Sequence, residues 1–358
     1  MEVNKIQEFK PDFIKQRGNP LYICAGGFED RAAGIVESLD ILGEKSLKYS
    51  LILEYVPASD ANKKNLQFLR HSLKRLSSNL PDNTMINIDN MLKTGNNLSN
   101  ALKEIPPEEI DSIFIDISGM ANFLIPLVLH QVNETFHGKE IFVLYTEAQD
   151  YYPKRNEMNE ILKLVKRREN GDIRKLSKKL GTSGARETLI PPDFKGYFKE
   201  DYPTCLIFFA GYEPSRAIGL IETYRPNLII ACYGISPHER FRQRTEFSKN
   251  LHEELEVFKQ YRHVDMEVST FKIQEIVSKL EEIYASADNK GKILYEKYNI
   301  AISPQCSKLQ ALATYLFSLR HPDIQIVFCL PGSYNPKRYS EGIGKKWMYK
   351  LPTPGIYI

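Results

Sequence analysis

Two stretches of the chain nearly repeat each other. Residues 25–37 read AGGFEDRAAGIVE and residues 210–222 read AGYEPSRAIGLIE. Each contains Gly-aromatic-Glu, then Arg-Ala-x-Gly, then two aliphatic residues and a glutamate, with one extra residue before the second arginine. An apolar, strand-like run precedes each copy, at Leu21–Ala25 and Leu206–Ala210. Two further matches follow in the same order: Ile117-Ser118 with Ile302-Ser303, and Tyr152-Pro153-Lys154-Arg155 with Asn335-Pro336-Lys337-Arg338. All three are spaced 183 to 185 residues apart, which indicates a tandem duplication.

Each half alternates short apolar runs with amphipathic segments. In the first, strands are expected at Leu21–Ala25, Leu47–Val56, Thr84–Ile88, Ser112–Ile117 and Glu140–Tyr145. Helices are expected at Arg31–Leu42, Asn62–Leu80, Asn97–Glu104 and Asn122–Glu134; the second of these sets Leu66, Leu69, Leu73 and Leu76 on one face. The second half predicts strands at Leu206–Ala210, Leu228–Cys232, Asp265–Val268, Asn299–Ile302 and Ile324–Cys329. Its helices are Arg216–Tyr224, Thr245–Lys259, Ile273–Ala287 and Lys308–Arg320. Continuous apolar strands between amphipathic helices imply parallel sheets covered on both faces. The fold class is therefore α/β: two Rossmann-like doubly wound domains with mainly parallel sheets. The division is 1–155 for the first domain, 156–200 for a basic helical connector, 201–345 for the second domain and 346–358 for an extended tail.

The formal net charge of only +3 excludes a global basic field, so a nucleic-acid surface has to be local. The candidate is 163–179, with Lys163, Lys166, Arg167, Arg168, Arg174, Lys175, Lys178 and Lys179; its default reading is a solvated helix pair. Cys24, Cys205, Cys232, Cys306 and Cys329 lack metal-ligand spacing, so free thiols in a reducing cytoplasm are expected, with no metal and no cofactor. The N-terminus lacks signal-peptide character, and no apolar run reaches the ~18 residues of a membrane span. A cytoplasmic protein is expected.

In open parallel sheets ligands bind outside the carboxyl ends of the strands. The loop after the first strand offers Gly27, Glu29 and Arg31, and its counterpart offers Gly211, Glu213 and Arg216. Glycine permits close backbone approach, and an arginine at a helix start suits a phosphate or carboxylate. The spacing is not GxGxxG, so a hydride-transfer cofactor is poorly supported. The second loop offers Asp116, Ser118 and Asn122, answered by Ser303, Ser307 and Lys308. A structural reading stands beside each: Arg31 paired with Glu29, Asp116 capping a turn, Lys308 at an ordinary helix start. Tyr334, in the loop after the last strand, could stack a base or pack at a seam.

The segment NIAISPQCSKLQALATYLF, residues 299–317, resembles the fourth-strand motif of CRISPR-associated Rossmann-fold (CARF) sensors. Cys306-Ser307-Lys308 stands where that family has Gly-Thr-Lys, and Ala311 lies in the following helix; the glycine is replaced. The first half has Ala121, Asn122 and Phe123 there and lacks the lysine. The related SAVED domains fuse two such units in one chain. The resemblance implies a pocket for cyclic oligonucleotide second messengers and a sensor role in prokaryotic antiviral defence, acting through a protein effector.

Three readings follow. The first is a nucleotide sensor without catalytic residues. The second is a metal-dependent nucleotide phosphoryl hydrolase in which Glu29, Asp30, Asp116 and Glu147 converge on Mg²⁺. The third is an interaction subunit that docks through the connector and the C-terminal LPTPGIYI.

Overall fold

The computed structural model describes residues 5–82, 84–87, 90–167, 176, 179–287 and 291–352. The chain divides into two compact units, 1–151 together with 340–358, and 152–339. The first unit contributes β1 (Ile6–Glu8), β2 (Pro20–Ala25), β3 (Leu47–Val56), β4 (Ser77–Asn79), β5 (Thr84–Asn87), β6 (Ser112–Asp116), β7 (Glu140–Thr146) and β8 (Asp150–Tyr151). The second contributes β9 (Thr182–Leu189), β10 (Thr204–Ala210), β11 (Leu228–Ile235), β12 (His263–Ser269), β13 (Asn299–Ser303), β14 (Gln325–Ile326) and β15 (Phe328–Tyr334). The chain then returns to the first unit with β16 (Ser340–Glu341) and β17 (Lys346–Lys350).

The first sheet has the order β1-β17-β7-β6-β2-β3-β4, with β5 also beside β3. Its centre is parallel; β17 joins β7 antiparallel and β1 joins β17 antiparallel. The second sheet, β12-β11-β10-β13-β14, is parallel throughout. Numbered by their order along the chain, the parallel strands of both units are arranged 3-2-1-4-5. The switch point, where successive crossovers diverge, thus lies between β2 and β6 in one unit and between β10 and β13 in the other. The tandem duplication itself is a statement about ancestry, and the sequence repeat alone carries it.

Every residue of β2, β6 and β13 is buried, as a strand covered on both faces requires. In the first unit Phe114 stacks on Phe142 at 5.1 Å, and Phe13 meets both rings edge-on. The helices of this unit are α1 (Asp12–Lys15), α2 (Gly34–Leu39), α3 (Asp60–Leu76), α4 (Met91–Lys103) and α5 (Leu124–Thr135). A capping box between Ser59 and Asn62 starts α3, and Leu66, Leu69, Leu73 and Leu76 line its buried face. The second unit has α6 (Arg155–Arg167), α7 (Pro214–Tyr224), α8 (Gln243–Glu253), α9 (Glu256–Lys259), α10 (Ile273–Tyr284), α11 (Leu294–Lys297) and α12 (Lys308–Ser318).

Several expectations need correction. The helix expected over Asn62–Leu80 stops at Leu76, because 77–79 pair with β3. Helix 245–259 breaks between α8 and α9. The strand expected at Ile324–Cys329 splits: Gln325–Ile326 close the second sheet, and β15 leaves it to pair antiparallel with β9. The segment read as connector therefore supplies α6 and β9 to the second unit. Of the segment read as an extended tail, Lys346–Lys350 form a strand of the first sheet between β1 and β7, held there by ladders on both sides. Residues 353–358 lie outside the described residues.

Candidate functional site

The second unit gathers its expected site at the carboxyl ends of β10 and β13. The loop after β10 begins at Gly211, whose position lies against the backbone of Gln305 and Cys306 in the loop after β13. Ser248 of α8 holds the β10 end by donating to the carbonyls of Gly211 (2.7 Å) and Ala210 (3.3 Å). Glu213 then turns away from the sheet. Its carboxylate accepts from the amides of Gly181 and Thr182, both at 3.1 Å, and from the Thr182 hydroxyl at 2.5 Å. Burial pushes its carboxyl up to about 7, against the pull of Thr182 and Arg216.

Arg216 lies in the first turn of α7 and is half-buried. Its Nε donates to the Cys329 carbonyl at 3.2 Å. Among the described residues its terminal nitrogens have no hydrogen-bond or ion-pair partner. That bond sets it against β15, and its positive charge acts electrostatically on Glu213, Cys306, Cys329 and Tyr334. Tyr334 is 42% exposed and stacks on Tyr339 at 6.3 Å. A guanidinium with two free parallel donors beside an exposed aromatic face can take a phosphate and a base.

Ser303, Ser307 and Lys308 have more structural roles than their sequence context suggests. Ser303 is fully buried and accepts from the Gln305 amide at 2.9 Å. Ser307 caps α12 in a capping box with Gln310, and its hydroxyl donates to the Thr270 carbonyl at 2.8 Å. That hydroxyl is thereby spent on the fold. Lys308, the first residue of α12, is only 8% exposed.

The first unit is built on the same plan but is closed. Gly27 packs so tightly on Gly119 that a Cβ would lie 2.4 Å from the Gly119 carbonyl oxygen. Asn62 and Asn65 of α3 donate to the carbonyls of Gly26, Gly27 and Glu29, which fixes the loop. Arg31 is 7% exposed, and its Nη2 donates to both carboxylate oxygens of Glu29 at 2.9 and 2.7 Å. Its Nη1 donates to the Tyr145 hydroxyl at 3.1 Å, and the guanidinium lies over the rings of Tyr145 and Tyr151. Burial opposes its charge, but Glu29 with the two tyrosines outweighs this and holds the arginine firmly ionised. Ser340 donates to Glu29 as well. Arg31 thus makes the pair with Glu29 that its structural reading expects.

Asp116 is fully buried and accepts from the Tyr22 hydroxyl (2.8 Å), the Ser118 amide (2.9 Å) and the Ser118 hydroxyl (2.5 Å). Ser118 Oγ in turn accepts from the Thr146 amide at 2.8 Å. These bonds tie β6 to β2 and β7. Asn122 is half-buried just before α5. The four carboxylates of the hydrolase reading are engaged one by one: Glu29 by Arg31, Asp30 by the Gly342 amide, Asp116 as above, and Glu147 by Trp347 Nε1. Among the described residues no group of three or more His, Cys, Asp or Glu could hold a metal ion.

Sequence reasoning missed the residues that set the two arginines apart: Thr182 and Gly181, which draw off Glu213, and Tyr145, which joins Glu29 on Arg31. The GTSG stretch was visible, but nothing local marks it as half of a strand pair. In the basic stretch Lys163 is exposed, Lys166 pairs with Glu254 at 3.3 Å and Lys179 with Glu160 at 3.0 Å. Arg168, Arg174, Lys175 and Lys178 lie outside the described residues.

No family profile and no curated protein matches the chain. Among solved structures it is similar to a Type III CRISPR defence DNA nuclease activated by cyclic oligoadenylate, with TM-score 0.48 and 10% identity, over 83% of this chain and 64% of that one. It is also similar to Can2 from Sulfobacillus thermosulfidooxidans in complex with cyclic tetra-adenylate, with TM-score 0.25 and 7% identity, over 78% of this chain and 71% of that one. The chain spans less than two thirds of the length of the first. No described helix is long and apolar enough to cross a membrane.

Proposed function

We propose that the chain is a nucleotide-binding sensor module of a prokaryotic defence system, and that its ligand is a phosphate-bearing nucleotide held at the strand ends of the second unit. One contrast carries this reading. The arginines of the repeated loop differ in what they face: Arg31 is neutralised by Glu29, whereas Glu213 is bound to Thr182 and leaves the terminal nitrogens of Arg216 available. A conserved-looking turn kept for folding alone would spend both arginines alike. The Gly211 backbone lies against Gln305 and Cys306 of the neighbouring strand-end loop, and Tyr334, 42% exposed, offers an aromatic face.

A cyclic oligonucleotide is the finer proposal, resting on the motif at 299–317, with the signal passing to a separate protein effector. Isothermal titration of the purified chain with cyclic tetra-adenylate, AMP and ATP tests it. Binding is expected for cyclic tetra-adenylate, with a loss of tenfold or more in Arg216→Ala and recovery of intact ligand afterwards. Binding unchanged in Arg216→Ala would remove the site from the second unit. Breakdown of the ligand would make the chain an enzyme.

A further inference from the structure

The second sheet ends in β12, and this edge is long. The other outermost strands of the two large sheets are short: β1 and β4 have three residues each and β14 has two, whereas β12 has seven. Its register with β11 runs unbroken from His263 to Ser269. Proteins ordinarily blunt an open edge with proline, lysine, a bulge or a short strand, because its unpaired groups invite another chain. β12, HVDMEVS, has none of these; what it carries instead is acid.

The ladder fixes which groups face outward. The Ile229 amide donates to the Arg262 carbonyl at 2.9 Å, and the Thr270 amide donates to the Ile235 carbonyl at 3.0 Å. Alternate residues of a parallel strand bond to a given neighbour. Val264, Met266 and Val268 therefore turn their backbone groups to β11, and His263, Asp265 and Glu267 turn theirs away from it. Among the described residues the backbone groups of those three make no further hydrogen bond.

Side chains alternate between the faces of the sheet. On the face of His263, Asp265 and Glu267, Lys249 of α8 reaches Asp265 at 3.6 Å and Glu253 at 4.0 Å. Glu267 is exposed and has no ion pair among the described residues, so three carboxylates share one ammonium there. On the other face Val264 is 40% exposed and Met266 is half-buried. The acid opposes pairing with a second copy. The antiparallel alignment that uses all three outward residues sets Asp265 against its own counterpart, and like charges directly opposite are destabilising. The same charge favours a basic strand, which is how an edge repels one partner and admits another.

We propose that β12 receives an extended peptide of a basic protein partner as an added strand. Lysine or arginine side chains of the peptide would lie on the face of Asp265 and Glu267, and apolar ones on the face of Val264 and Met266. Main-chain hydrogen bonds supply affinity in such strand addition, and the alternating side chains supply specificity. The proposal is independent of the nucleotide-binding reading.

The probe is a seven-residue peptide alternating lysine and valine, blocked at both ends and matched to the seven residues of β12. Fluorescence anisotropy of a labelled copy reads affinity, and hydrogen-exchange mass spectrometry reads placement. The controls are an alternating glutamate–valine peptide, a peptide of the same lysine–valine composition with the two residue types in separate blocks, and the alternating peptide N-methylated at every second residue, which cannot complete a ladder. Saturable binding of the lysine–valine peptide is expected, about tenfold or more weaker for each control, with slowed exchange over residues 263–269. Glu267→Lys should keep the parent's melting curve, weaken the lysine–valine peptide about tenfold or more, and strengthen the glutamate–valine peptide. Equal binding of the block or N-methylated peptide overturns strand addition. Lysine–valine binding unmoved in Glu267→Lys overturns the placement on β12. A folded parent chain that does not bind the lysine–valine peptide overturns the proposal outright. A parent dimer in sedimentation, with 263–269 already protected before peptide is added, gives the edge to a second copy and overturns the basic partner.

Discussion

Glu29 grips Arg31 with both carboxylate oxygens, at 2.7 and 2.9 Å, and the two side chains are only 10% and 9% exposed. Breaking a buried pair leaves the surviving charge desolvated, which costs about 3–5 kcal/mol. Glu29→Ala is therefore expected to lower stability by about 3 kcal/mol in urea denaturation. A loss under ~1 kcal/mol would mean that the pair behaves as an exposed one.

Gly119, in the loop after β6, and Gly211, in the loop after β10, should respond in opposite ways. A Cβ on Gly119 would sit 2.1 Å from the Ala25 carbonyl oxygen, so Gly119→Ala forces backbone apart and should cost about 2 kcal/mol or more. A Cβ on Gly211 meets nothing nearer than 3.7 Å. Gly211→Ala should stay within about 0.5 kcal/mol of the parent in a thermal melt. Its effect should appear instead in the titration with cyclic tetra-adenylate, as weaker binding without loss of fold.

Asp116→Ala separates structure from ligand binding. It strands the Tyr22 hydroxyl and the Ser118 amide in a site with no solvent, at about 2–4 kcal/mol. Nucleotide affinity at the second unit should stay within twofold when measured below the variant's melting temperature. A selective loss of affinity would return Asp116 to the binding residues.

His252 gives the fold an acid-sensitive point. It is 1% exposed, lies among Phe208, Tyr233 and Phe258, and bonds the Ser248 carbonyl through Nδ1 at 2.8 Å. Burial pushes its pKa down to about 4. Between that value and the unfolded value of about 6.5, the unfolded chain binds the extra proton, so stability falls as pH falls through this window. The whole effect is at most about 3 kcal/mol. Urea melts of the parent and His252→Phe at pH 7.5, 6, 5 and 4 should show a difference that grows as pH falls. A constant difference would mean that His252 does not titrate separately from the unfolded chain.

Strands buried on both faces were legible in the sequence because burial writes itself as an apolar run. Ser112–Asp116 and Leu206–Ala210 are examples. The strand β9, TSGARETL, was not, since only Thr182 in it is buried and its strand state comes from residues 328–334, far along the chain. The same split runs through the site. Arg216 could be found from the repeated turn, but its difference from Arg31 depends on Thr182, which pairs with Tyr334 across β9–β15. Ser307 followed three residues later by Gln310 is a capping-box spacing, and the structure uses it as one.

The placement of Lys346–Lys350 beside β7 bears on the order in which the protein is made. Ribosomes release a chain from its amino end, and domains ordinarily fold as they emerge. Here the first sheet cannot close when residues 1–151 are out, because its missing strand, Lys346–Lys350, follows the whole second unit along the chain. Until then β7 presents a bare edge, which invites pairing with other chains. The second unit, continuous from 152 to 339, has its whole sequence before that strand appears. The unit begun first is therefore completed after the other, and a stop between residues 339 and 346 would leave the second unit whole and the first unfinished.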